Sequence, residues 1–158
     1  MPTFRRVTDA EVPAHQSIMD HAFGEDASPA TDETADDAPN YLAERWGLFA
    51  DDDLVSACLL YDLRATLAEA TKPVGGIGGF ATPPEHRSQG YGRQLQRAAL
   101  ETFRDRGFPY AVLWPVSVAY YRETGWGLAH CQTEYEFPPA AVEPVASTVP
   151  EGRFERVD

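Results

Sequence analysis

The chain has 158 residues, enough for one domain that buries roughly two-thirds of the surface its unfolded form exposes. A formal net charge of -12 repels nucleic-acid phosphates over most of the surface, and 43% hydrophobic with 24% charged residues is too apolar for a disordered chain. Apolar runs fall far short of the ~20 residues that cross a membrane, and Arg5 and Arg6 lead into Asp9 and Glu11 instead of the apolar stretch of a secretory signal.

Lys72 is the single lysine of the sequence. Acidic excess with almost no lysine matches the proteins of salt-adapted organisms, whose carboxylates keep a surface hydrated where screening lengths fall to ~3 Å. Cys58 and Cys131 lie in apolar strand patterns with no Cys-x-x-Cys pair, which is expected of buried, reduced thiols in a cytoplasmic protein. His15, His21, His86 and His130 show no ligand spacing, so no metal site is expected. Neither nucleic acid nor membrane is an expected partner; a homo-oligomer is compatible with the sequence.

Taken in chain order, residues 3–7 are β-prone, and Thr8-Asp9 with Glu11 in the first turn opens a helix. Val12, His15, Gln16, Met19 and Phe23 recur at helical spacing, with Gly24 as the stop; His15 and His21 read as surface or satisfied side chains. Residues 25–40 are acidic and rich in Ala, Ser, Thr and Pro, which describes an irregular loop. Such a run is ordinarily solvated surface; the functional reading is that Glu25 and Asp26, with Phe23 and Trp46, form the side that receives a cationic amine.

Residues 46–50 and 54–67 are strand patterns joined by Asp51-Asp52-Asp53, a hairpin connection. A loop over 68–73 is expected to return the chain to a third antiparallel strand at 74–82. That strand carries Gly75, Gly76, Gly78 and Gly79, a density that permits a bulge or close approach by a group from outside the sheet. The same letters fit a loose dinucleotide fingerprint, but Thr82-Pro83-Pro84 stands where the helix of that motif must begin.

Residues 80–92 read F-A-T-P-P-E-H-R-S-Q-G-Y-G and pass directly into an amphipathic pattern, Leu95, Ala98, Ala99, Thr102 and Phe103, that runs to Gly107. A strand end, a proline pair that blocks helix, and Arg87-x-x-Gly90-x-Gly92 at a helix start describe an anion cradle. The N–H groups of Gln89, Gly90, Tyr91 and Gly92 are unpaired donors there, glycine clears the approach, and Arg87 adds charge. The plain alternative is a glycine-rich helix start with no ligand. A buried strand at 110–114, parallel to the glycine-rich one, then a short helix at 118–123, a strand pair at 126–130 and 132–137, and an extended strap or linker over 139–158 complete the expectation.

The cradle, the amphipathic helix, the buried strand and then Tyr120-Tyr121-Arg122-Glu123-Thr124-Gly125-Trp126 together resemble a GCN5-related N-acetyltransferase (GNAT) over nearly the whole chain. The A-T-P-P-E-H-R-S-Q-G-Y-G and L-W-P-V-S-V-A-Y-Y-R-E-T-G-W-G runs are similar in particular to the enhanced-intracellular-survival (Eis-like) branch, in which further domains follow. The resemblance implies an α/β (α+β) fold, a mixed, mostly antiparallel sheet of six to seven strands flanked by helices and splayed between the fourth and fifth. It implies a domain over 1–138 that uses acetyl-CoA, without metal, to acetylate a primary amine. Phe80, Ala81 and Thr82 would pair with the pantetheine arm; Arg87, Ser88, Gln89, Gly90, Tyr91 and Gly92 would hold the diphosphate. Tyr121 matches the family's general acid, and Tyr120 is expected in the core. The competing reading is a non-catalytic acyl-CoA-binding module.

Overall fold

The computed structural model describes residues 2–24, 43–67, 69–131, 133, 136 and 138. Five strands form one sheet in the order β1-β2-β3-β4-β5: β1 (Thr3–Arg6), β2 (Ala43–Ala50), β3 (Asp53–Leu67), β4 (Ala70–Ala81) and β5 (Tyr110–Leu113). The first four are antiparallel neighbours; β5 lies parallel to β4 because helix α2 (Tyr91–Asp105) carries the chain back across the sheet.

Helix α1 (Val12–Phe23) begins at an anchored turn. The Glu11 carboxylate accepts from the Thr8 N–H at 2.9 Å and from both Nη atoms of Arg5, at 2.8 and 2.6 Å, which ties the helix to β1. The Arg5 hydrogen bond, then those from Thr8, lower the Glu11 pKa to about 2. Gly24, at φ +83°, ends the helix as the spacing predicts.

His15 is fully buried, not at the helix surface. Its Nε2 lies 3.2 Å from the carbonyl oxygen of Cys58, so that nitrogen carries the proton, while Nδ1 has no partner among the described residues. Burial lowers its pKa and keeps the ring neutral. Cys58 is buried and its thiol pKa is raised by that burial, whereas Cys131 is exposed, contrary to the expectation for both cysteines.

The main core lies between the sheet and α2, where Leu95, Ala99 and Phe103 pack against Leu48, Val55, Cys58, Leu60 and Ile77. This packing accounts for much of the glycine density in β4. A Cβ at Gly75 would lie 2.5 Å from the Phe103 ring, one at Gly76 would lie 2.9 Å from Leu63, and one at Gly78 would lie 3.0 Å from the Tyr61 ring. The close approach comes from the protein's own side chains.

Two boundaries differ from the sequence reading. Residues 70–73 belong to β4, since pairing with β3 continues to Leu67↔Ala70 and Pro73 lies opposite Arg64. Proline is tolerated because β5 begins to pair only at Val74, leaving the Pro73 edge without a partner that needs an N–H. Exposed Lys72 lies in this same projecting stretch. Residues 126–131 form no strand: the Trp126 N–H donates to the Tyr121 carbonyl at 3.1 Å, so the backbone turns onto the end of helix α3 (Val118–Glu123). The described sheet therefore has five strands where six to seven are expected, and most of 132–137 and all of 139–158 lie outside the described residues.

Candidate active site

Pairing between β4 and β5 ends at Ile77↔Leu113, yet β4 continues to Ala81. On its other edge the register slips: Leu59 faces Gly78 and Ala57 faces Ala81, so β4 carries an extra residue. Gly79 accommodates that bulge at φ +53°, a left-handed conformation that glycine adopts without a Cβ penalty. Residues 78–81 thus form the open side of a splay between the fourth and fifth strands, as the family likeness implies. Buried Ser56 pins its end, donating to the Ala81 carbonyl at 2.8 Å and bonding the Thr82 hydroxyl at 2.8 Å. Sequence reasoning passes over Ser56; its signal is a hydroxyl within the apolar run V-S-A-C.

Beyond Thr82 the chain makes one turn of 3-10 helix at Pro84–His86 and folds back on itself. Arg87 Nε donates to the Thr82 carbonyl at 3.0 Å, and Gln89 Nε2 donates to the Glu85 carbonyl at 3.0 Å. Ser88 (φ +60°) and Gly90 (φ +81°) are left-handed, while Gln89 between them is not. Alternating handedness of this kind turns successive N–H groups toward one point, an anion-binding nest. Gly90 is the N-cap of α2 and supplies no side-chain cap, so the first-turn donors stay available.

These residues line a cleft of ≈ 430 Å³ formed by Thr82, His86, Arg87, Ser88, Gly90, Tyr91, Gly92, Arg93 and Tyr120. In a chain of net charge -12, this lining contains two arginines and no carboxylate. A Cβ at Gly92 would lie 3.0 Å from the Tyr120 hydroxyl, 3.6 Å from Phe80 and 3.7 Å from Thr82 Oγ1, so glycine keeps the neck of the cleft open. The donor set and the bare backbone fit a diphosphate. A second groove, of ≈ 470 Å³, runs along α2 from Arg93 to Arg104, but its arginines are paired with Glu123, Glu101 and Asp105.

Tyr121 and Tyr120 exchange the environments expected of them. Tyr121 is the buried one, its ring edge-on to Phe80 at 6.4 Å, to Tyr120 at 5.3 Å and to Trp126 at 6.3 Å. Burial, then the neighbouring Tyr120 phenol, raises its pKa, so Tyr121 stays protonated at neutral pH. Tyr120 is half-buried and faces the cleft.

The structure brings Phe80, Thr82, Arg87, Ser88, Gly90, Tyr91 and Gly92 together and places Tyr121 against Phe80, whereas the Ala81 side chain is buried with Met19 and Ala57. Gln89 contributes its backbone, its side chain being folded back onto Glu85. Trp46 is not at the site: it stacks on Phe4 at 4.9 Å and lies under Arg106 at 5.5 Å, past the C-terminal end of α2 and about 20 Å of helix from the cradle. Its indole is a packing group there. Phe23 is 42% exposed at the last position of α1. Glu25 and Asp26 lie outside the described residues.

Against this geometry, the model of the acetyltransferase (GNAT) domain matches residues 3–129. The chain belongs to the GNAT acetyltransferase family. As such it is an N-acetyltransferase, and acetyl-CoA is the co-substrate of domains of this kind. Among solved structures, a transcriptional regulator from Bacillus halodurans shares 16% identity over 87% of this chain and 100% of its own, with TM-score 0.69. An acetyltransferase from Trypanosoma brucei shares 17% identity over 87% of this chain and 100% of its own, with TM-score 0.67. A GCN5-related N-acetyltransferase from Kribbella flavida shares 26% identity over 78% of this GNAT chain but only 33% of its own length, with TM-score 0.67. No curated protein gives a significant sequence match.

Proposed function

We propose that this GNAT enzyme transfers an acetyl group from acetyl-CoA directly to a primary amine of a small molecule, a peptide or a lysine side chain, with Tyr121 as general acid. The observation that carries the reading is one continuous path: the open edge of β4 over residues 78–81 leads into the left-handed nest at the start of α2, and Tyr121 packs on Phe80 within it. Acetyl-CoA supplies the activated thioester. The N–H groups of Gln89, Gly90, Tyr91 and Gly92, with Ser88 shaping the turn and Arg87 adding charge, would hold the diphosphate. The backbone of Phe80, Ala81 and Thr82 would pair with the pantetheine arm and offer N–H groups to the carbonyl oxygen as its charge develops.

In the transfer, the amine nitrogen forms the new C–N bond while the C–S bond breaks. Tyr121 gives its phenolic proton to the departing sulfur, which its raised pKa equips it to keep until then. A cationic amine has no lone pair to attack with, so it first gives up one proton through water to solvent, with Glu25 or Asp26 as the assisting carboxylate; the second proton, lost once the C–N bond has formed, passes through water to Tyr121 and restores its phenol. The Phe23 ring at the end of α1 would border the same side.

The net charge of -12 and the single lysine support a salt-adapted, cytoplasmic protein with no nucleic-acid partner. The A-T-P-P-E-H-R-S-Q-G-Y-G and L-W-P-V-S-V-A-Y-Y-R-E-T-G-W-G runs are what support placement near the Eis-like branch, with a domain over 1–138 and a strap or linker after it. A thermal-shift measurement in molar KCl with acetyl-CoA, CoA and NAD side by side tests the reading. Stabilisation by both CoA species, worth about 2.7 kcal/mol at a hundredfold excess over Kd, and none by NAD is expected. Stabilisation by NAD alone would overturn it. Stabilisation by acetyl-CoA with no CoA release from a broad amine panel would favour the non-catalytic acyl-CoA-binding alternative.

A further inference from the structure

We propose that the Tyr120 hydroxyl is a ligand for the diphosphate of acyl-CoA, a role separate from that of Tyr121; the inference rests on the acetyl-CoA reading above. The two tyrosines are consecutive on α3, and that short helix aims them at different partners. Tyr121 points into the aromatic cluster with Phe80 and Trp126. Tyr120 lines the cleft, and its phenolic oxygen lies 3.0 Å from the position a Cβ would take on Gly92.

Gly92 is the second residue of α2, where backbone N–H groups have no intrahelical acceptor. A phosphate held by those donors lies within reach of a hydroxyl standing over the same residue. Thr82 Oγ1, 3.7 Å from the same point, closes the other side. The position of Tyr120 is set by the start of α3, where the Ser117 side chain accepts from the Tyr120 N–H at 3.4 Å, and by edge-on packing on Tyr121.

The hydroxyl is not explained by packing. A phenylalanine would make the same ring contact with Tyr121, and the Tyr120 oxygen has no hydrogen-bond partner among the described residues. What the oxygen adds is an O–H donor in a cleft lined by the Arg87 guanidinium and by Arg93, the latter also paired with Glu123. An O–H donating to an anionic phosphate oxygen is one of the strong, short hydrogen bonds. The glycine at 92 then has a second reason: it leaves room for the hydroxyl as well as for the ligand.

The test is calorimetric titration of wild type and Tyr120→Phe with CoA and, separately, with pantetheine, which lacks the diphosphate and nucleotide. The 31P resonances of bound CoA are recorded in parallel. The proposal expects Kd for CoA to rise about tenfold in the variant, with pantetheine affinity and the melting temperature of the unliganded protein unchanged. One of the two diphosphate resonances should move between wild type and variant. An unchanged Kd for CoA would overturn the proposal, as would an equal loss for pantetheine, which would place the contact on the arm instead. A wild type that binds no CoA would sink the acetyl-CoA reading itself, an outcome distinct from wild type and variant binding alike.

Discussion

Strand β4 holds four glycines within residues 75–79, and they fall in pairs on either side of Ile77. Gly75 and Gly76 sit where β4 is hydrogen-bonded on both edges, and each gives up its side chain so that Phe103 or Leu63 can lie flat against the backbone. Past Ile77 the β5 partner is gone. Gly78 still has a ring above it, but Gly79 is there for its left-handed φ, which makes the bulge and sets the open edge. One residue type therefore serves packing density in the first half and backbone conformation in the second. A glycine in a strand is understood from its φ as well as from what its missing Cβ would have met.

The contrast can be broken experimentally. Phe103→Ala empties the space over Gly75 and should cost about 3–5 kcal/mol in urea unfolding. Acetyl-CoA affinity of the folded fraction should be unchanged, because the closed half of the strand bears no ligand; a matching loss of affinity would show that the two halves are coupled. Tyr121→Phe probes the other half and should lower kcat at least a hundredfold in an assay of CoA release, with the Kd for acetyl-CoA unaltered. Equal activity in that variant would remove Tyr121 from the chemistry.

Gly79→Ala should cost about 1–2 kcal/mol for a left-handed residue bearing a Cβ, which would also lie 3.0 Å from Met19 Sδ. Here stability and acetyl-CoA affinity should fall together, and an effect on stability alone would mean that the bulge does not shape the ligand edge. The smallest effect belongs to the turn that ties α1 to β1, far from the glycines. Glu11 has a folded pKa lowered to about 2, so its contribution is complete above the ordinary carboxylate value of about 4.3 and is lost as pH falls toward 2. Melting temperatures of Glu11→Gln and wild type should differ modestly at pH 7 and converge over that acid range.

The sequence discloses the elements whose signals are local. α1 and α2 follow from helical spacing and end at Gly24 and just before Gly107, and the meander follows from strand patterns and turns. Where tertiary pairing decides, it does not. Thr71, Lys72 and Pro73 have the composition of a loop, and only the nine consecutive cross-strand pairs with β3 that run from Leu59↔Gly78 to Leu67↔Ala70 make them strand. The cradle is legible because Arg87, Gly90 and Gly92 have a fixed spacing, but the left-handed Ser88 between them carries no compositional mark. Adjacent tyrosines on a short helix share one sequence context, so which of them is buried depends on where Phe80 and Gly92 stand in space. Trp46, read as a substrate group, is claimed by Phe4 and Arg106 through contacts between residues far apart in the chain.

Lys72 gives this acetyltransferase an unusual relation to its own product. It is the protein's single side-chain amine of the lysine type, and it is exposed. Six residues of extended strand, about 20 Å, separate it from Gly78, where the open edge begins. The molecule therefore cannot present that amine to its own splay. Incubation with acetyl-CoA should add at most one acetyl group to a lysine side chain, delivered by a second molecule or by uncatalysed chemistry, so that peptide mapping need follow only Lys72 and the terminal α-amine to count all self-modification at amines.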